Sequence, residues 1–346
     1  MHKHHPVRIF GISALITVLV GVLVGWLDGL TGLWIYCVLV LLEVTFSFDN
    51  AVVNSKILNR LSDFWQTMFL TIGIFFAVFV VRFLLPLFIV MITAGMGAGE
   101  VVDLAVQSPE DYSHRLHEAA PLIDSFGGAF LFLIGLSYFV DRNKDVHWLK
   151  KLEKGLSRLG EIRFIKLIVM LVVMAVLYLT VDEHSRSAVA IAGLLGVLLH
   201  VGLEAMSSFF EKRERNVVGI KKKQVGMAAF ASFMYLQVLD ASFSFDGVIG
   251  AFAITSSLLL IMAGLGAGAL WVRSFTVYLV RTGTLAKYKY LEHGAHWAIL
   301  ALGVVMLVKL YHIEAPEWFT GSLGLIFIAT AVTSSIIEKR SLEAKK

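Results

Sequence analysis

Apolar runs of about 20 residues, separated by short polar clusters, dominate the chain, and runs of that length read as membrane-spanning helices. They fall at roughly 10–26, 33–57, 64–94, 121–140, 164–180, 187–210, 225–255, 258–280, 295–312 and 318–337. The pattern therefore predicts an all-α membrane protein of about ten transmembrane helices. The first run has a basic flank, Lys3 and Arg8, as a signal peptide does, but the following GWLDGL lacks a small-x-small cleavage pattern. It is expected to stay as a membrane anchor. The runs at 64–94 and 225–255 exceed a bilayer's needs, so tilting, a break or an extension beyond the membrane is expected there.

Lysine and arginine sort by side across these runs. One side receives Lys3, Arg8, Lys56, Arg60, the stretches Arg142–Lys166 and Lys212–Lys223, Arg281, Lys287, Lys289 and the tail from Lys339. The other receives only Arg115, Arg186 and Lys309, among acidic loops carrying Glu100, Asp103, Glu110, Asp111, Asp182, Glu183, Glu314 and Glu317. Basic residues gather on the cytoplasmic side, so this asymmetry predicts a multi-pass protein of the plasma (inner) membrane with both termini in the cytoplasm. In the longest basic loop Trp148, Leu152, Leu156, Leu159 and Ile162 recur at helical spacing. That spacing predicts an amphipathic helix on the inner leaflet, serving as a linker.

Composition agrees and narrows the field. The chain is 58% hydrophobic and 16% charged, with mean hydropathy +0.78, whereas soluble domains carry about a quarter charged residues. The net charge of +4 is explained by the sided loops, so nucleic acid is not an expected partner. A lone cysteine, Cys37, excludes an intramolecular disulfide.

An internal repeat is visible. EVTFSFDNAV at 43–52 aligns with DASFSFDGVI at 240–249; Gly73 precedes Arg82 by nine residues as Gly264 precedes Arg273; Asp124 precedes Gly135 by eleven as Glu292 precedes Gly303. Five helices per repeat is an odd number, so the second copy enters the membrane upside down, in two inverted-topology repeats of five. The expected organisation is a first repeat over 1–141, a basic amphipathic linker over 142–163 and a second repeat over 164–346.

Charged groups inside such helices are costly and mark functional sites by default, at about 2.5–3.5 kcal/mol each at the bilayer centre. Glu43 and Asp49 in one motif, and Asp240 and Asp246 in the other, are candidate metal ligands. Asn50, Ser47 and Ser244, with Asn54 or Gln237, would support them. On an unbroken helix a six-residue step leaves two carboxylates ~120° apart around the axis. The motifs must therefore unwind near Ser47 and Ser244, or face each other and pool their acids. This oxygen-rich set without thiolate or histidine suits Mn²⁺, Ca²⁺ or Mg²⁺ better than zinc or copper. The plainer reading is a buried salt-bridge network of these acids with Arg82 and Arg273. The two arginines are otherwise charge partners or gates, occupying the carboxylates when metal is absent or pairing with Asp124 and Glu292. His200 and Glu204 share one face of a later helix, as structural groups or part of a proton route.

No GxxxxGK[ST], HExxH or GxSxG motif occurs, so ATP hydrolysis and hydrolase chemistry are not expected and the chain does not read as an enzyme. Glu43, Asp49 and Asn50 form E-x5-D-N, and Asp240 and Asp246 form D-x5-D. With Gly-rich helices bearing Arg82 and Arg273, and Glu292 leading into GVVMLVKL, they make the chain resemble the TerC family, within the LysE-like transporter superfamily. The resemblance covers most of residues 30–312; it departs at Gly247 and Ile249, where that family often has serine and proline, and in the long basic loop. It implies metal-ion homeostasis, most often manganese export, with Glu43, Asp49, Asp240 and Asp246 as the metal-binding acids.

The expected function is secondary transport of a divalent cation, Mn²⁺ favoured and Ca²⁺ the alternative, out of the cytoplasm. It needs no cofactor and exchanges against protons or the membrane gradient. The alternatives are a Ca²⁺/H⁺ exchanger, a non-transporting membrane scaffold or assembly factor, and, less well fitted to four carboxylates, an oxyanion carrier using Arg82 and Arg273.

Overall fold

The computed structural model describes residues 6–142, 144–162, 164–183, 185–218, 223–313 and 316–344; the side chains at 6–8, 211–218, 245–246, 317–318 and 321 lie outside that description. The described elements are helical. They are α1 (Pro6–Phe46), α2 (Phe48–Leu58), α3 (Asp63–Ala94), α4 (Ala98–Gln107), α5 (Pro109–Glu118), α6 (Ala120–Phe139), α7 (Lys150–Leu159), α8 (Ile165–Thr180), α9 (Arg186–Val218), α10 (Gly226–Phe252), α11 (Leu258–Thr282), α12 (Leu291–Lys309) and α13 (Glu317–Glu343), with one extra turn at Thr284–Lys287. The β-type pairing among the described residues is one isolated parallel bridge, Leu61 to Gln224.

Among the described residues, seven helices are long and apolar enough to cross a membrane: Ile9–Phe46 of α1, α3, α6, Arg186–Phe210 of α9, α11, α12 and Ser322–Glu343 of α13. The sequence led us to expect about ten, and the difference has particular causes. Helix α1 covers two of the expected spans, α8 has only 16 residues, and α10 contains Phe245 and Asp246, whose side chains lie outside the description.

Helix α1 is two helices meeting at Gly29, where φ is 68° and ψ −162°. That backbone region is open almost only to glycine. Tyr36 Oη donates to the Thr17 carbonyl at 2.9 Å, and a Cβ on Gly21 would lie 3.2 Å from the Tyr36 ring. A Cβ on Gly25 would lie 3.7 Å from Leu33, so the pairings step from 25 with 33 to 17 with 36, which requires the two arms to run antiparallel.

Helix α3 is irregular. The chain turns at Thr71, and Phe76–Leu84 is π-helical, with Leu85 N–H donating to the Val80 carbonyl. Pro86 follows directly. Lacking an N–H, it cannot complete the α-helical ladder across this point, which leaves room for the i→i+5 register.

The chain divides into two compact units, Met1–Ala120 with Ser207–Thr282, and Pro121–Met206 with Gly283–Lys346. Each draws on both halves of the sequence. In the first, Ile9, Leu58, Leu61 and Phe69 pack with Ala229, Phe233, Leu236 and Val277. In the second, Ala129 and Leu133 pack with Met170, Met174, Val189 and Leu307. Outside these cores large apolar side chains stand open, Trp26 at 79% and Leu30 at 85% exposure. A soluble protein would not leave so much apolar surface uncovered, whereas lipid is its natural solvent.

Candidate functional site

Glu43 sits in the last turn of α1, and the chain bends at Ser47, whose φ and ψ are −99° and 15°. The helix is bent there without losing its ladder: Ser47 N–H reaches the Glu43 carbonyl at 3.0 Å, and Ala51 N–H reaches that of Ser47 at 3.4 Å. Glu43 Oε1 accepts from Ser47 Oγ at 2.8 Å and from Arg82 Nη2. Arg82 comes from the π-helical stretch of α3, and its Nη1 donates to the Ala77 carbonyl at 2.7 Å. Five residues separate that donor and acceptor, so the π register and the arginine's placement are linked. Gly268 lets α11 approach this end of α1 closely. A Cβ on Gly268 of α11 would fall 2.5 Å from Glu43 Cβ and 3.0 Å from the Val40 carbonyl oxygen.

The second motif repeats the arrangement. Arg273 of α11 donates from Nη2 to Asp240 Oδ2 at 2.8 Å and to Gln237 Oε1 at 3.2 Å, and from Nη1 to the Phe69 carbonyl at 2.9 Å. Arg273 and Gln237 crowd Gly73 of α3, where a Cβ would meet them at 2.6 and 2.8 Å. Helix α10 is continuous through Asp240–Ala251, so the unwinding considered near Ser244 does not occur. An uninterrupted helix keeps its own backbone bonds and frees no carbonyl for a ligand.

Asp49 lies in the first turn of α2, 4% exposed. It accepts from the Asn50 N–H at 3.0 Å and has no ion pair among the described residues. Several polar atoms of the two motifs are buried with no hydrogen-bond partner among the described residues: Asn50 Oδ1, Asn54 Oδ1, Gln237 Nε2 and Ser244 Oγ. Gly247 is buried, yet a Cβ on it would find only Glu43 Oε2 within 4 Å, at 3.7 Å. A buried polar atom without a hydrogen bond is uncommon in a folded protein, so these groups call for a partner. Among the described residues no three side chains of His, Cys, Asp or Glu converge as a metal cluster. The Asp246 side chain lies outside the description.

Thus Glu43, Ser47, Asp49, Asn50, Arg82, Asp240, Ser244 and Arg273 all belong to one unit, whereas Asp124 and Glu292 belong to the other. The arginines take the motif acids as their partners. In the second unit α6 and α12 cross through the matched glycines: a Cβ on Gly135 would strike Leu300 at 2.7 Å, and one on Gly303 would strike the Phe132 backbone nitrogen at 2.6 Å. Leu300 stands three before Gly303, and Phe132 three before Gly135, so the contact is reciprocal. Glu204 receives Lys166 Nζ at 2.5 Å, and His200 Nε2 lies 3.3 Å from Ser137 Oγ.

One cluster has no counterpart in the sequence expectations. Glu153 of α7, 0% exposed, takes Trp297 Nε1 at 3.2 Å, lies 2.9 Å from His293 Nδ1 and 3.4 Å from Lys144 Nζ, and accepts the N–H groups of Trp148 and Leu149. Burial alone would raise this carboxyl. The His293 hydrogen bond and charge, with Lys144 and the Leu149 N–H, outweigh it and hold the pKa down at about 2. The available signal was His293 and Trp297, one turn apart on α12.

Apolar helices surrounding buried acid–arginine pairs define a helical protein of the multi-pass membrane class. The chain belongs to the DUF475 family, described as a protein of unknown function, whose pattern matches residues 48–342. No curated protein and no solved structure matches it.

Proposed function

We propose that the protein is a secondary transporter of divalent metal cations that exports Mn²⁺, with Ca²⁺ as the alternative cargo, and that it is not an enzyme. The observation that carries this reading is the duplicated acid–arginine pair, Glu43 with Arg82 and Asp240 with Arg273, with a buried Asp49 that has no ion pair, and oxygens of Asn50, Asn54 and Ser244 that have no hydrogen bond, among the described residues. Two arginines balance two of these acids and leave Asp49 over. A static network has no use for an uncompensated buried carboxylate, whereas a cation site needs one. In this reading Arg82 and Arg273 hold Glu43 and Asp240 when no metal is bound. An incoming cation displaces them, taking carboxylate, amide and hydroxyl oxygens as a hard ion prefers. Asp246 completes the set by its place in the motif.

Inverted repeats of five helices are part of the proposal. The two arms of α1, with α8 and α10, bring the seven spans to ten. Matched residues make matched contacts, as Glu43–Arg82 does with Asp240–Arg273 and Gly135–Leu300 with Gly303–Phe132. Loops assigned to one side also meet: Arg60 and Ser62 bond Gln224, Lys289 bonds Glu338, and on the opposite side Thr180 bonds Tyr311. With the basic loops inside, both termini lie in the cytoplasm of a cell bounded by this plasma membrane. The motif resemblance to the TerC family points to the same metal chemistry.

The test is Mn²⁺ flux into liposomes holding the purified protein. Wild type should load them, and Asp49→Asn and Glu43→Gln should not, while remaining folded. Absence of flux in wild type, or unaltered flux in both variants, would reject the transporter and leave a scaffold.

A further inference from the structure

Helix α7 presents three distinct sides. At 100° per residue, Leu152, Leu156 and Leu159 fall within about 60° of one another, Glu153 and Gly160 lie about 80° away, and Lys151, Lys154 and Arg158 lie about 140° from both groups. The side bearing Glu153 and Gly160 meets the protein: Glu153 is clamped by His293 and Trp297, and a Cβ on Gly160 would stand 2.1 Å from the Val140 carbonyl oxygen. The leucine side is uncovered, with Leu152 at 53% and Leu159 at 43% exposure, and the flanking Ile162 and Phe164 are also exposed. Phe164 leads into the exposed Ile168 and Leu171 of α8, so the apolar stripe continues into a face that lipid must cover. Its acids do not oppose an anionic surface: Glu153 is buried, and Glu161 lies 3.7 Å from Arg142.

We propose that α7 binds the anionic headgroup layer of the bilayer, and that Glu153 is the positioning residue that fixes its angle. The carboxylate acts twice. It accepts the free N–H groups of Trp148 and Leu149 before the first turn, where a helix has orphan donors. It also ties the same turn to α12 through His293 and Trp297. With those two constraints met, α7 cannot roll its leucines toward water. Lys150, Lys151, Lys154 and Arg158 then lie at the level of the headgroups, where phosphate is the complementary charge. The inference rests on the membrane-spanning character of the bundle and not on transport.

Cys37 is the single cysteine, so a Cys37→Ser background accepts one dye at a time through Leu152→Cys, Leu159→Cys, Lys151→Cys or Lys154→Cys. In liposomes containing phosphatidylglycerol and a quencher-bearing lipid, dyes at 152 and 159 should be quenched about twofold or more beyond those at 151 and 154. The contrast should shrink in phosphatidylcholine alone and vanish in Glu153→Gln, whose spans still give wild-type helical content. Equal quenching at all four positions overturns the proposal. Weak quenching everywhere does so too, and would turn the leucine face over to a protein partner. Contrast independent of lipid charge removes the headgroup preference, and contrast surviving Glu153→Gln removes the positioning role.

Discussion

Arg82 donates to Glu43 at 2.5 Å, and each side chain is 2% exposed. A pair so buried is costly to break from one side, because the remaining charge has neither water nor partner. Arg82→Gln should therefore lower unfolding stability in mixed micelles by about 3–5 kcal/mol. Arg82→Gln combined with Glu43→Gln should cost clearly less than the two changes summed. Additive losses in a denaturation cycle would mean that the pair is not a coupled unit.

Gly268 sets how closely α11 approaches Glu43. Gly268→Ala puts a methyl 2.5 Å from Glu43 Cβ, an overpacking expected to cost about 1–3 kcal/mol. Gly202 in α9 has nothing within 4 Å, so Gly202→Ala should be neutral or gain up to about 1 kcal/mol from helix propensity. Thermal unfolding of the two proteins in one detergent makes the comparison.

Gly29 reverses the chain between the arms of α1 at φ 68° and ψ −162°. Gly29→Ala should destabilise by about 1–3 kcal/mol, the cost of forcing a side chain into that region. Protease cutting near residue 29 in folded protein should rise with it; an unchanged melting point and digestion pattern would argue against the reversal.

Glu153 makes the linker acid-sensitive. Its folded pKa of about 2 lies below the ordinary 4.5, so the unfolded chain binds the proton more readily. The stabilisation is complete above pH 4.5 and is lost as pH falls from there toward 2. Hydrogen exchange in α7 should speed up across that window in wild type, and Glu153→Gln should be fast at neutral pH with little further change on acidification.

Much of this was legible in the sequence because hydrophobic runs and misplaced charges are strong signals. Glu43, Asp49, Asp240, Arg82 and Arg273 were identifiable from their cost in a membrane, and the structure gathers them in one unit. Which arginine held which acid was not legible, since spacing leaves both pairings open and only packing chooses. The bend at Ser47 and the unbroken α10 show the limit of motif symmetry: nearly equal sequences fold differently, one bent at Ser47 and the other helical through its counterpart Ser244. Glu153 escaped notice because an acid among lysines on an amphipathic helix looks solvated. Only its neighbours on α12, far along the chain, reveal that it turns inward.

The π-helical stretch at Phe76–Leu84 also bears on how α3 moves. Its i→i+5 bonds hold one residue more per turn than the α-helix on either side. A helix with such a surplus can pass it along, as slack travels down a rope, with both ends held in place. Each residue passed turns the intervening segment by about 100°. Arg82 lies inside that segment, so the register of the surplus residue decides which way its guanidinium points and sets the aim of the ion pair to Glu43.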